Sequence, residues 1–157
     1  MRIVIDTNVL ISALTEPKSN GARVLRAWRQ GRLEVVSSNA TLREAELVLN
    51  AGWLSRLATQ REVEDLLREL RERAVRVQPW PISDMPLKDE GDLRLVEAAV
   101  AGGAAYLVTA DQELLLQRGY AGTEFVTPAE VLRALSSRSI SENERASRGD
   151  TATSPAE

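Results

Sequence analysis

The chain of 157 residues contains no cysteine. Disulfides, thiolate metal sites and thiol nucleophiles are thereby excluded, and a cytoplasmic setting is expected. It contains no histidine either, which removes the commonest general base and the commonest transition-metal ligand. Lysine occurs only at 18 and 88, each in a loop near proline, so a buried amine nucleophile is not expected. No run of about 18 apolar residues is present, and no membrane span is expected. The apolar start of the chain is broken at Asp6, unlike the long apolar core of a secretory leader. The net charge of −3 argues against a protein that coats nucleic acid by bulk charge, although not against a local grip on phosphate. Carboxylate chemistry is what these absences leave.

What is present describes an ordinary folded domain. Apolar residues make up 43% and charged residues 27% of the chain, enough for one domain with an ample core. Arg2-Ile3-Val4-Ile5 reads as a strand buried on both faces. A short helix is predicted over Asn8–Leu14, and a second one, capped by Ser19 or Asn20, ending before Gly31. Leu33–Ser37, Ala74–Val77, Ala105–Val108 and Glu124–Val126 read as further strands. Helices are predicted around Ala40–Asn50, after the capping sequence Thr59-Gln60-Arg61-Glu62, over Leu93–Ala101, near Leu114, and from Pro128 to about Leu135. Alternating strands and helices predict an α/β domain over 1–135 with a mainly parallel, five-stranded sheet. From Ser136 the composition turns to Ser, Arg, Glu, Ala and Thr, so 136–157 is expected to be a disordered polar tail.

Two of the strands end alike, in an apolar run followed by Asp6 or Asp111. Ends of parallel strands share one edge of a sheet, where ligands gather. Glu44 and Asp92 fall near predicted helix starts. Each of these acids has a plain structural explanation. Asp6 or Thr7 would cap the helix that follows, and Thr41–Glu44 and Asp89–Asp92 both have the form of capping boxes. Four acids converging on one crevice would repel one another unless protonated or bridged by cations. Hard divalent ions with oxygen ligands relieve that repulsion and suit phosphodiester hydrolysis, a chemistry that needs no histidine.

The ordered set Asp6-Thr7-Asn8-Val9-Leu10, the helix around Glu44, Asp89-Glu90-Gly91-Asp92, Leu107-Val108-Thr109-Ala110-Asp111 and Thr127-Pro128-Ala129-Glu130 resembles the PIN domain family. Within it, the chain is similar to small prokaryotic members treated as toxins of toxin–antitoxin pairs. The resemblance implies a three-layer α/β/α domain with strand order 3-2-1-4-5. It also implies a ribonuclease dependent on Mg²⁺ or Mn²⁺, a co-encoded antitoxin and frequent homo-oligomers. Matched by position, Asp6, Glu44, Asp92 and Asp111 are the implied catalytic acids, with Asp6, Asp92 and Asp111 as metal ligands. Asn8 and Thr109 would support them. Thr7, Glu46, Asp89 and Glu113 are secondary candidates. Glu44 and Glu46 point to roughly opposite sides of a helix, so only one can face the crevice, and Asp89 competes with Asp92.

Arg23, Arg26 and Arg29 follow one side of the second helix, and together with Arg32 they would suit an RNA backbone, although such a stripe also describes a solvated helix face. Trp28 is expected in the core, while Trp53 and Trp80 are candidates for an interface or a lid. Two other function classes compete with the nuclease. One is a catalytically silent PIN-like module that binds RNA or protein. The other is a phosphoryl-accepting receiver, disfavoured because Asp6 stands alone and no lysine follows Phe125-Val126.

Overall fold

A computed structural model describes residues 1–149. The elements in chain order are β1 (Arg2–Ile5), α1 (Thr7–Thr15), α2 (Asn20–Arg29), β2 (Glu34–Ser38) and α3 (Asn39–Leu49). A 3-10 turn (Gly52–Arg56), α4 (Gln60–Arg73), β3 (Val75–Val77), α5 (Glu90–Ala101) and β4 (Tyr106–Val108) follow. The chain closes with α6 (Gln112–Gln117), β5 (Gly119–Tyr120), β6 (Thr123–Val126) and α7 (Pro128–Gly149). The sheet order is β3-β2-β1-β4-β6-β5. All neighbouring pairs are parallel except β5 with β6.

The first strand lies in the middle of this sheet, and alternation along it builds both sides of the core. Ile3 and Ile5 point into one apolar cluster with Val35, Val108 and Val126, under residues of α1, α2, α3, α4 and α7. Val4 points the other way, into a cluster with Val36, Leu107 and Phe125 beneath α5 and α6. The result is the three-layer α/β/α arrangement. The parallel register Val4 to Leu107 and Ile5 to Val108 brings β1 and β4 to the same edge at the same height. Asp6 and Thr109 leave the sheet side by side.

Two expectations need correction. The sheet has a sixth strand, β5, which forms a hairpin with β6 through Ala121 (φ 48°) and Gly122 (φ 88°). Both central residues of that turn have positive φ, as a type I′ hairpin turn requires, but Ala-Gly lacks the Asn or Asp that signals one. The other correction concerns the tail. The last helix does not stop near Leu135; it continues to Gly149. The hydroxyls of Ser136, Ser137, Ser139 and Ser141 donate to carbonyls one turn back, and Arg138 pairs with Glu142 one turn on. These local bonds hold in a helix a polar sequence that has little to bury. The remainder of the expected tail, 150–157, lies outside the described residues.

Candidate active site

Asp6 occupies the N-cap position of α1, yet its side chain makes no capping hydrogen bond. Its backbone N–H continues the sheet, donating to the Val108 carbonyl at 2.9 Å. The carboxylate accepts instead from Thr109, whose fully buried hydroxyl donates to Asp6 Oδ2 at 2.7 Å. That same Thr109 Oγ1 accepts from the backbone N–H of Asp111 at 3.0 Å. One hydroxyl therefore ties the ends of the two central strands together and fixes both acids. Thr109 is itself held by its N–H to the Val126 carbonyl on β6.

The other acids arrive on helices. Thr41–Glu44 is not the capping box its sequence suggests. Ser38 is the N-cap of α3, and Ser38 and Thr41 bond each other reciprocally. Glu44 is thus released from capping, and its half-buried side chain lies over the start of α5. A Cβ built on Gly91 would sit 2.5 and 2.8 Å from the two Glu44 carboxylate oxygens. Glu46 is directed elsewhere, into an ion pair with Arg71 of α4 at 3.1 Å, which separates the two glutamates. On α5, Asp89 is the N-cap and accepts from the N–H groups of Gly91 and Asp92 at 2.7 and 3.3 Å. Asp92 sits one turn inside the helix, buried at 9% exposure. Asp111 has two tasks. It is the N-cap of α6, accepting from Glu113 N–H at 2.8 Å, and its charge reaches Asp92 and Asp6.

The acids sense one another. Burial pushes the Asp92 carboxyl up to about 7, and the charges of Asp111, Asp6, Asp89 and Glu113 push the same way. Glu44 is raised first by burial, then by Asp89 and Asp6. Asp6 is raised by burial and by Asp111, against the Thr109 hydrogen bond and the neighbouring N–H groups of Asn8 and Thr7. Among the described residues, none of Asp6, Glu44, Asp89, Asp92, Asp111 and Glu113 is in an ion pair with an arginine or lysine. Acids left without a counter-charge favour a bound cation.

A family model for the PIN domain matches residues 2–113. The chain belongs to the PIN domain family. The matched span runs from the start of β1 to Glu113 and includes all six acids of this edge. Among solved structures, a chain of "VapBC2 from Rickettsia felis bound to a DNA fragment from their promoter" is similar, with a TM-score of 0.50 and 14% identity. The alignment covers 80% of this chain and 97% of that one, and at such identity the likeness is one of fold. A search of curated proteins gave no match.

Within this PIN domain, the sequence-predicted residues separate into groups. Asp6, Glu44, Asp92, Asp111 and Thr109 are brought to one edge, with Asp89 and Glu113 beside them. Glu46 is turned away. Asn8 is exposed and, among the described residues, its side chain makes no hydrogen bond. Thr7 does not cap α1, because Asp6 occupies that position. The sequence reading missed Gly91, whose missing side chain makes room for Glu44. The signal was there in the glycine between Asp89 and Asp92. Among the described residues no group of three or more acids forms a ready-made metal cage. Mg²⁺ does not need one, since it keeps several waters and takes one or two carboxylates. The all-oxygen donor set suits Mg²⁺ or Mn²⁺ better than zinc or copper.

Proposed function

We propose that the chain is an endoribonuclease dependent on Mg²⁺ or Mn²⁺, acting at the edge that gathers Asp6, Glu44, Asp92 and Asp111. The observation that carries this reading is the group of neighbouring acids, buried in part and without a counter-charge. Asp6, Asp92 and Asp111 would hold the ion. When bound, it would supply an activated water and neutralise charge developing on the phosphate. Thr109 holds Asp6 and the Asp111 backbone in place. Glu44, raised above its ordinary value by burial, then by Asp89 and Asp6, would be the group to accept a proton from an attacking water.

The chain would act as the toxin of a toxin–antitoxin pair, with a co-encoded antitoxin as partner. The VapBC2 structure supports this by fold. Leu47 on α3, Trp53 in the 3-10 turn and Leu57 just after it, exposed by 71%, 54% and 60%, supply apolar area that an antitoxin or a second copy would cover. A cytoplasmic site of action belongs to the same reading; no helix among the described residues is long and apolar enough to cross a membrane.

The deciding experiment is cleavage of labelled single-stranded RNA with Mg²⁺, with Mn²⁺ and with excess EDTA. Cleavage is expected with either ion, none in EDTA, and a loss of at least ~100-fold in Asp6→Asn. Cleavage unchanged in EDTA or in Asp6→Asn refutes the site. RNA binding without cleavage under every condition would make the chain a silent PIN-like module.

A further inference from the structure

Helices α2 and α7 pack side by side, and hollows follow the seam between them. The first, about 520 Å³, is lined by Arg23 and Arg133, with Leu132 and Ser136 in its wall. The next, about 210 Å³, shares Arg23, Leu132 and Ser136 and adds Arg26 and Arg32. No acidic side chain lines either hollow among the described residues. Arg23, Arg26, Arg32 and Arg133 are all exposed. None of the four is in an ion pair among the described residues. Among the described residues, the one hydrogen bond of the Arg23 guanidinium is to the Asn20 amide oxygen, at 3.3 Å. Arg29, the remaining member of the stripe, points away and is held by Glu69.

We infer that this α2–α7 groove binds the phosphate backbone of single-stranded RNA and leads it to the acidic edge. The inference rests on the nuclease reading for its substrate. Arg23 and Arg26 are one helical turn apart, which puts their Cβ atoms about 5–6 Å apart along the groove. Each guanidinium presents a planar fork that matches phosphate oxygens. Arg133 faces them from α7. Ser136 keeps the wall low, since its hydroxyl is turned back onto the Leu132 carbonyl at 3.1 Å. The groove also starts in the right place. The α7 helix begins directly after β6, whose end pairs with β4 at Val108–Val126, the edge that carries Thr109 and Asp111. No tryptophan, tyrosine or phenylalanine lines either hollow, so contacts there go to phosphate, position the strand and read no sequence.

Binding of a fluorescent single-stranded RNA to the full chain, measured by anisotropy in EDTA over a range of salt, tests the groove without requiring cleavage. Arg23→Ala with Arg133→Ala should weaken binding at least ~10-fold at low salt and flatten the log Kd against log salt slope by about 1.4, or ~0.7 for each lost phosphate contact on a single strand. Arg61→Ala, an exposed arginine on α4, controls for the loss of general positive charge. An unchanged affinity and slope in the folded double variant overturns the groove, as does an equal loss in Arg61→Ala. Tighter arginine-dependent binding of duplex DNA or of an acidic peptide overturns the RNA assignment. Loss of RNA binding in the double variant supports the groove even if Mg²⁺ produces no cleavage, a result that would count against the nuclease reading alone. Metal-dependent cleavage with RNA binding indifferent to the arginines does the reverse.

Discussion

The acidic edge and the flank formed by α2 and α4 treat charge in opposite ways. On the flank, acids and bases form four pairs: Arg29 with Glu69, Arg73 with Glu69, Arg71 with Glu46, and Arg68 with Asp65. At the edge, six acids stand without a basic partner among the described residues. The chain has 20 basic residues, so a shortage of arginine does not explain the difference. Matched surface charge contributes modestly to stability. Unmatched, partly buried charge is a standing cost and points to a ligand of the opposite sign.

The largest way to break the contrast is to remove what organises the acids. Thr109→Val keeps the volume and deletes the hydroxyl shared by Asp6 and the Asp111 backbone. We expect RNA cleavage to fall about 10- to 100-fold, approaching the effect of Asp6→Asn. The domain should stay folded, because the lost bonds lie beyond the ends of the strands. Cleavage assays alongside circular dichroism separate the two effects. A Thr109→Val protein with full activity would show that Asp6 needs no such support.

A second test titrates the repulsion itself. The Asp92 carboxyl sits at about 7 in the folded chain against an ordinary 3.8, so between those values the folded state holds a proton that the unfolded chain has released. Stability therefore falls as pH rises from about 4 through about 7. Glu44 and Asp6 are raised as well and act with the same sign. Metal-free protein should melt lower at pH 8 than at pH 5.5, and millimolar Mg²⁺ should raise the melting temperature more at pH 8 than at pH 5.5, where protons compete with the ion. Melting curves that are flat across this range, or that respond equally to Mg²⁺ at both values, would contradict the coupling.

How much of this was legible in the sequence follows from how local each signal is. Five of the six strands, α4 and its Thr59 cap, and the Asp6 and Asp111 strand ends are readable because β-branched runs and helical periodicity are carried by neighbouring residues. The Ser38–Thr41 box was missed because Thr41 and Glu44 stand at the spacing of a box of their own. Only the register of β2 decides which residue is the N-cap. That register also freed Glu44 for the edge and sent Glu46 to Arg71, a pairing between helices that no spacing in α3 encodes. Gly91 is visible in the sequence as a glycine between two acids, but its role depends on the packing of α3 against α5. The division of the arginine stripe, with Arg29 paired and Arg23 and Arg26 free, depended on where α4 and α7 came to lie.

Gly91→Ala sharpens the comparison at one position. An added methyl would meet both Glu44 oxygens and Asp89 Oδ1 at 2.9 Å or less. The end of the Glu44 side chain can swing away, and alanine favours the first turn of α5 by up to about 1 kcal/mol relative to glycine. Stability should therefore be nearly unchanged, while Glu44 leaves its place and cleavage falls roughly 10-fold, an effect typical of lost support for a reacting group. Comparing melting temperature with cleavage rate tells the two apart. A loss of stability matching the loss of activity would mean that the glycine serves the fold.

The smallest effect is expected on the matched flank. Arg29 makes a two-pronged contact with Glu69, at 2.8 and 2.7 Å, with side-chain exposures of 44% and 21%. That geometry is better than most surface pairs have, but solvent screens it. Arg29→Ala should therefore cost no more than about 1 kcal/mol, a fall of roughly 2–4 °C in Tm for a domain of this size. The deficit should shrink as salt is added. RNA cleavage and RNA affinity should not change, since Glu69 already holds the guanidinium. A drop in RNA affinity comparable to that of the Arg23 and Arg133 variant would mean that pairing does not distinguish these arginines, and the contrast between matched and unmatched charge would lose its functional meaning.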